Sequence, residues 1–248
     1  MSLTEALARL AHHRPLLIGV DFDGTLAPIT DRPHQARPNR RAMAALETLA
    51  RAPEVTVAIV SGRASRDLVG LVGGPAGVTL IGEHGNDMGG ELVVHDGLDV
   101  LESRLRRLAE SIPGSEVEVK RSSVAFHYRN VKGDLEDLLT RVLEMADEWP
   151  EVKVLSGKMV VEMSLSARTK GDAISELTNG VARILYVGDD TTDETVFQVL
   201  GPDDVGVKVG EGDTAAGYRV DVVDEVADLL VFLAGEVESG SGTGGEQA

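Results

Sequence analysis

The sequence contains no cysteine, so disulfides, thiolate metal sites and cysteine nucleophiles are all excluded. It is also short of cations: 24 lysines and arginines stand against 41 aspartates and glutamates, for a formal net charge of −17. No basic patch could offset that excess, which argues against nucleic acid or an anionic membrane as a partner. No apolar run approaches bilayer-spanning length. The stretch from Met1 to Arg14 lacks an apolar core segment and reads as a short amphipathic helix, not a signal peptide. A cytoplasmic monomer is expected. What remains is ordinary for a globular chain: 248 residues, 42% hydrophobic and 26% charged, enough for one large domain or two small ones.

The chain is organised around the stretch from Leu16 to Leu26. Its apolar start is too short for a helix and reads as a buried strand of a parallel sheet. The strand runs straight into Asp21, with Asp23 two positions later. In extended backbone those side chains point the same way, so both carboxylates face one site. Gly24 then lets the chain turn. Strand ends of this kind are where open α/β sheets bind ligands. Two close carboxylates repel and favour a shared proton or a divalent cation. With a cation bound, one aspartate can attack phosphorus while the other, if its pKa is raised, protonates the leaving oxygen.

Further along, apolar strands alternate with helical periodicity, which predicts a parallel sheet with crossover helices. Strands are expected at 55–60, 78–82, 183–187 and 205–209, and helices at 39–51, 64–72, 170–177 and 225–233. From 87 to 163 the alternation breaks. Helical patterns at 98–110 and 134–149 mix with strands at 116–120, 124–129, 152–155 and 158–163, with Ser156-Gly157 as a turn. This reads as an inserted antiparallel α+β domain. The expected division is 1–86 with 164–234 for the core, 87–163 for the insertion, and a Gly-, Ser- and Glu-rich disordered tail at 235–248.

Three more pieces stand at strand ends or helix starts. Ser61-Gly62-Arg63 offers a hydroxyl and free backbone N–H groups for a phosphate oxygen, though taken alone a plain helix cap is the commoner explanation of the serine. Lys170 could neutralise phosphoryl oxygens and the nucleophile, or be a solvated surface lysine. Gly188-Asp189-Asp190 followed by Asp193 packs three acids together, costly unless a cation or hydrogen bonds offset them. A capping box at Thr191–Glu194 explains only part of that cluster.

In this order, the four pieces resemble the four motifs of the haloacid dehalogenase superfamily, whose members are mostly magnesium-dependent phosphatases. The resemblance implies a Rossmann-like parallel-sheet α/β core with an inserted α+β cap. It makes Asp21 the nucleophile and Asp23 the general acid/base. Ser61 and Lys170 would bind the phosphoryl group beside Gly62 and Arg63. Magnesium (Mg2+) would be held by Asp21, the backbone carbonyl of Asp23 and Asp189, with Asp190 and Asp193 in support.

The insertion narrows this. Glu118-Val119-Lys120, Phe126-His127-Tyr128-Arg129 and Gly157-Lys158-Met159-Val160-Val161-Glu162 resemble the cap of trehalose-6-phosphate phosphatases, and the similarity runs from about Leu16 to Val231. In that family the cap closes over the site and grips the sugar hydroxyls, which assigns sugar contacts to Glu118, Lys120, Arg129, Lys158 and Glu162. Glu118 with Lys120, and Lys158 with Glu162, each share a strand face, and charged multi-donor side chains suit a polyol. Cross-strand ion pairs on a solvated face are the competing reading. His127 is expected to be structural and Tyr128 part of the core. Ser164-Leu165 and Asn86-Asp87 depart from the family pattern without touching the four motifs. The expected activity is hydrolysis of trehalose 6-phosphate, a small sugar phosphate. The alternative is a pseudo-disaccharide phosphate such as validoxylamine 7′-phosphate. A non-enzymatic sugar-phosphate sensor would need a lost nucleophile or lysine, and a phospho-accepting receiver domain would be about half this length and lack Asp-x-Asp.

Overall fold

The computed structural model describes residues 1–30, 32–88, 97–149, 152–157, 159–178 and 183–241. In chain order the elements are α1 (Leu3–Leu10), β1 (Leu16–Asp21), α2 (Arg40–Leu49), β2 (Val55–Val60), α3 (Ser65–Val72) and β3 (Val78–Ile81). Next come α4 (Leu98–Glu110), β4 (Glu116–Val119), β5 (Ser123–His127), α5 (Leu135–Asp147), β6 (Lys153–Gly157) and β7 (Val160–Ser164). The chain finishes with α6 (Lys170–Thr178), β8 (Arg183–Gly188), α7 (Glu194–Phe197), β9 (Val205–Val209), β10 (Tyr218–Val220) and α8 (Val223–Ser241). Two compact units result, one of 1–89 with 168–248 and the other of 90–167. The divisions fall later than the expected 86/87 and 163/164. Asp87 pairs with Gly82 through two backbone hydrogen bonds, and its carboxylate accepts from the Ser65 N–H, so it belongs to the first unit.

The first unit is a parallel six-stranded sheet in the order β10-β9-β8-β1-β2-β3. Its inner strands β1, β2, β8 and β9 are largely apolar on both faces because both faces are covered. Leu16, Ile18 and Val20 of β1 join the core with α1, α2 and α8, while Leu17 joins Ile174 of α6 and Phe197 of α7 in a second cluster. β1 is therefore central, and its carboxyl end lies between those of β2 and β8. Loops meet ligands at such a point.

Two details differ from expectation. Edge strand β10 has three residues and no alternation long enough to register in the sequence. Helix α8 runs through Gly235 to Ser241, so 235–241 is not a disordered tail. Its apolar spacing continues from Val226, Leu230 and Leu233 to Val237, all buried, and that stripe outweighs the Gly/Ser composition. Residues 242–248 lie outside the described residues.

The second unit is an antiparallel four-stranded sheet in the order β4-β5-β7-β6. Val124 and Phe126 of β5 and Val161 and Met163 of β7 join Leu101, Leu105, Leu138 and Val142 of α4 and α5 in its core, with Tyr128 among them. Ala125 and Glu162 alternate with these and take the other face. Ser156 and Gly157 lie inside β6, and the reversal falls between Gly157 and Val160, which pair directly. Met159 takes a left-handed φ of 66° there. Among the described residues no helix is long and apolar enough to cross a membrane.

Candidate active site

The carboxyl edge of the parallel sheet gathers the motif residues from distant parts of the chain. Asp21 ends β1, and its Oδ1 accepts from Lys170 Nζ at 2.6 Å. The same ammonium donates to Asp193 Oδ1 at 2.7 Å. Lys170 is the first residue of α6, so the helix start aims it at the strand end, and its side chain is 2% exposed. Both oxygens of Asp193 are engaged: Tyr186 O–H donates to Oδ1 at 2.7 Å, and the Asp190 N–H to Oδ2 at 2.9 Å. Tyr186 reaches this position because its ring lies on Gly19 of β1, where a Cβ would stand 2.7 Å from Cδ2. Gly24, at φ 89°, does the same for Asp189: a Cβ there would stand 2.0 Å from Asp189 Oδ2.

Asp21, Asp189 and Asp193 each offer a carboxylate oxygen within 4.8 Å of the others. Burial pushes the Asp21 carboxyl well above the usual carboxylate range; Lys170 pulls it back, while Asp193 and Asp189 push it further up. Burial opposes the charge on Lys170, but Asp193 and Asp21 outweigh it and raise the pKa. Burial, followed by the charge of Asp193, likewise raises the Tyr186 hydroxyl well above its ordinary value. Asp21 and Asp193 thus share the Lys170 ammonium in a buried place, with the half-buried Asp189 carboxylate beside them. That negative excess, all of it on hard oxygen donors, fits a divalent cation such as magnesium.

The other motif residues have defined positions. Asp23 lies beyond β1 and accepts from both Nε and Nη2 of Arg63, each at 2.6 Å. Ser61 follows β2, is buried, and its Oγ accepts the Arg63 N–H at 3.2 Å. It is not a helix cap, since the N-cap of α3 is Ala64. Gly62 leaves room for the His84 imidazole, 2.5 Å from where a Cβ would sit. Asp190 turns its carboxylate to the Thr191 N–H at 2.7 Å and stays outside the triad. The expected capping box is not formed, because Asp193, not Thr191, occupies the N-cap of α7 and makes no side-chain cap bond.

In the second unit, β4, β5 and β7 bring Glu118, Lys120 and Glu162 to one sheet face. Lys120 Nζ pairs with Glu162 Oε2 at 2.5 Å, Ser123 O–H donates to Glu162 Oε1 at 2.6 Å, and His127 Nε2 lies 2.9 Å from Glu118 Oε2. The His127 hydrogen bond, and less so the Lys120 charge, hold the Glu118 carboxyl below its ordinary value despite burial. Arg129 lies two residues beyond β5. Lys158 lies outside the described residues.

Sequence reasoning missed three residues that support the site. Tyr186 read only as a strand residue, yet a fully buried phenol needs a hydrogen-bond partner. Lys208 stands in an apolar strand, and its buried ammonium donates to the backbone carbonyls of Asp189 and Val209. A lysine inside such a strand was a readable signal, since a buried charge must be met. His84, against Gly62, carried no signal of that kind.

A family model described as trehalose-phosphatase matches residues 19–224. Over 249 residues the chain is 34% identical to a bifunctional trehalose-6-phosphate synthase/phosphatase of Thermoproteus tenax, a match covering 94% of this chain and 34% of that protein. Over 241 residues it is 34% identical to a trehalose-phosphate phosphatase of Mycobacterium marinum, covering 88% of this chain and 61% of the relative. The chain therefore spans between about a third and three fifths of the length of these two relatives. The C-terminal domain of trehalose-6-phosphate phosphatase from C. albicans shares the fold with a TM-score of 0.79 at 23% identity, over 94% of this chain and 97% of that one.

Proposed function

The chain belongs to the trehalose-phosphatase family, and from that premise we propose that it is a phosphoric monoester hydrolase releasing trehalose and phosphate from trehalose 6-phosphate. The observation that carries this reading is the buried meeting of Asp21, Lys170 and Asp193, with Asp189 beside them, at the carboxyl edge of the sheet. Asp21 is the nucleophile. Its carboxylate attacks phosphorus, the ester P–O bond breaks, and the electron pair leaves on the sugar oxygen, which takes a proton from Asp23. Water then attacks the phosphorus of the aspartyl phosphate, and the Asp23 carboxylate takes the water's proton as phosphate departs. The Lys170 ammonium meets the charge on the phosphoryl oxygens. The Ser61 hydroxyl and the backbone at Gly62 hold another of those oxygens.

Asp21, Asp189 and the Asp23 carbonyl would hold magnesium, with Asp193 and Asp190 in support. When bound, the ion supplies positive charge that keeps Asp21 ionised and offsets the phosphoryl oxygens. Glu118, Lys120, Arg129, Lys158 and Glu162 are assigned to the sugar, whose hydroxyls need donors and acceptors together. The two departures from the family pattern have local uses. Asn86 Nδ2 donates to the Glu83 carbonyl, Asp87 fastens Ser65, and Ser164 Oγ exchanges hydrogen bonds with Ser166. Trehalose 6-phosphate is favoured over a pseudo-disaccharide phosphate because the cap residues that carry the resemblance are all present and the family model is that of trehalose-phosphatase. Phosphate release across a panel of sugar phosphates, with and without chelator, tests the reading. Trehalose 6-phosphate should have the highest kcat/KM and lose turnover in EDTA. A preference for validoxylamine 7′-phosphate overturns the sugar assignment, and no release from any phosphomonoester overturns the activity.

A further inference from the structure

Arg63 is held at three places, two of them on its guanidinium. Its Nε and Nη2 take both oxygens of Asp23, each at 2.6 Å. Its carbon lies 5.4 Å from the centroid of the Phe22 ring, and Phe22 is fully buried in the core. Its own backbone N–H is fastened to Ser61 Oγ. The Arg63 side chain is only 16% exposed, against 38% for Asp23. A planar fork stacked on a rigid ring fixes the carboxylate it grips in both position and orientation.

We propose that Arg63 acts on the reaction through Asp23, as a positioning residue, and not as a ligand of the phosphate. This rests on the reading of Asp23 as the group that exchanges the proton. With both oxygens accepting from the fork, the Asp23 carboxyl is fixed in one orientation just beyond the strand end that carries Asp21. In the proposed reaction its carboxylate arises when the ester P–O bond has broken and the sugar oxygen, holding the electron pair, has taken the Asp23 proton. The same form must then receive a proton from the water that attacks the aspartyl phosphate. The fork thus matches the state of Asp23 between the two half-reactions. It meets the charge produced by proton donation and aims the carboxylate for the return transfer.

The test is a double-mutant cycle of Arg63→Gln and Asp23→Asn, read as kcat/KM on trehalose 6-phosphate and on para-nitrophenyl phosphate. The sugar alkoxide leaves poorly without a proton, whereas the nitrophenolate needs little help. Asp23→Asn should lower kcat/KM on trehalose 6-phosphate by about 10²-fold or more. Arg63→Gln should lose a part of that, and the double variant should be no worse than Asp23→Asn alone, because both changes remove one device. The Arg63→Gln loss should shrink on the aryl ester. Arg63→Lys, which keeps the charge and the folded loop but lacks the fork, should not restore the rate on the sugar phosphate. An Arg63→Gln loss equally large on both esters, multiplying with that of Asp23→Asn, makes Arg63 a phosphate ligand and overturns the inference. A wild-type protein that cleaves the aryl ester but not trehalose 6-phosphate refutes the sugar assignment alone. The same cycle on glycerol phosphate, another alkyl ester, then decides the role of Arg63. No hydrolysis of any of these esters overturns both readings.

Discussion

Replacing Lys170 with methionine asks what the buried ammonium does for the fold apart from the chemistry. In the intact protein it lies 2.6 Å from Asp21 and 2.7 Å from Asp193, and these side chains are 2%, 6% and 0% exposed. Methionine fills similar space and removes the charge, leaving two buried carboxylates, with Asp189 nearby, and no cation among them. Breaking a buried ion pair from one side costs about 3–5 kcal/mol. Asp193 keeps its bonds to Tyr186 and the Asp190 N–H, so most of the penalty should fall on Asp21. The assay is urea unfolding followed by circular dichroism at neutral pH, in EDTA and then in magnesium. In EDTA the Lys170→Met protein should lose stability on that scale and regain part of it on mild acidification, as the stranded carboxyls take up protons. In magnesium both proteins should gain, with saturation at a hundredfold excess over Kd worth about 2.7 kcal/mol. The variant should gain more than wild type, because a positive charge beside the acids has gone. Equal stabilities in EDTA, or a smaller magnesium gain in the variant, would refute the electrostatic account of this cluster.

Four other outcomes follow. Asp21→Asn should abolish turnover and leave no phosphorylated protein detectable by mass spectrometry. Because the folded pKa of Asp21 is raised, the metal-free fold holds its proton longer than the unfolded chain, so wild-type stability in EDTA should rise as pH falls through that folded pKa towards the usual carboxylate range, and Asp21→Asn should remove the slope. Glu118 has the opposite sign: its depressed pKa adds stability above the ordinary glutamate range that is lost as pH falls through the folded value, so Glu118→Gln should flatten the acid loss of Trp149 fluorescence, which reports the 90–167 unit. Glu162→Ala would remove a close ion-pair partner of Lys120, so Glu162→Gln is the cleaner probe of sugar binding, and its kcat/KM on trehalose 6-phosphate should fall by the equivalent of about 1–3 kcal/mol with little change on para-nitrophenyl phosphate; equal losses on both esters would make Glu162 purely structural.

The fold was legible where one physical pattern dominated a stretch. The apolar runs at β1, β2, β8 and β9 carry no alternation because both faces are covered, and that continuous burial is itself a sequence signal. It was illegible where composition and packing disagreed. The Gly-, Ser- and Glu-rich residues beyond Gly235 read as tail, but Val237 extends a buried stripe and the helix follows it. The site divides in the same way. Asp21, Lys170, Asp189 and Asp193 were nameable because acids and a lysine at strand ends and helix starts have few structural uses in combination. Their partners were not, since a hydrogen bond from Tyr186 to Asp193 depends on a ring seated over Gly19, and a fork from Arg63 to Asp23 depends on two loops converging at the sheet edge. A sequence states which groups are chemically capable, whereas their partners are set by the strand order β8-β1-β2, which places three distant loops side by side. The residues most exposed to that uncertainty are the ones whose chemistry is decided by a neighbour. Asp23 is the clearest instance: as a motif residue it reads as a group without a partner, and in the fold both of its oxygens already accept from Arg63.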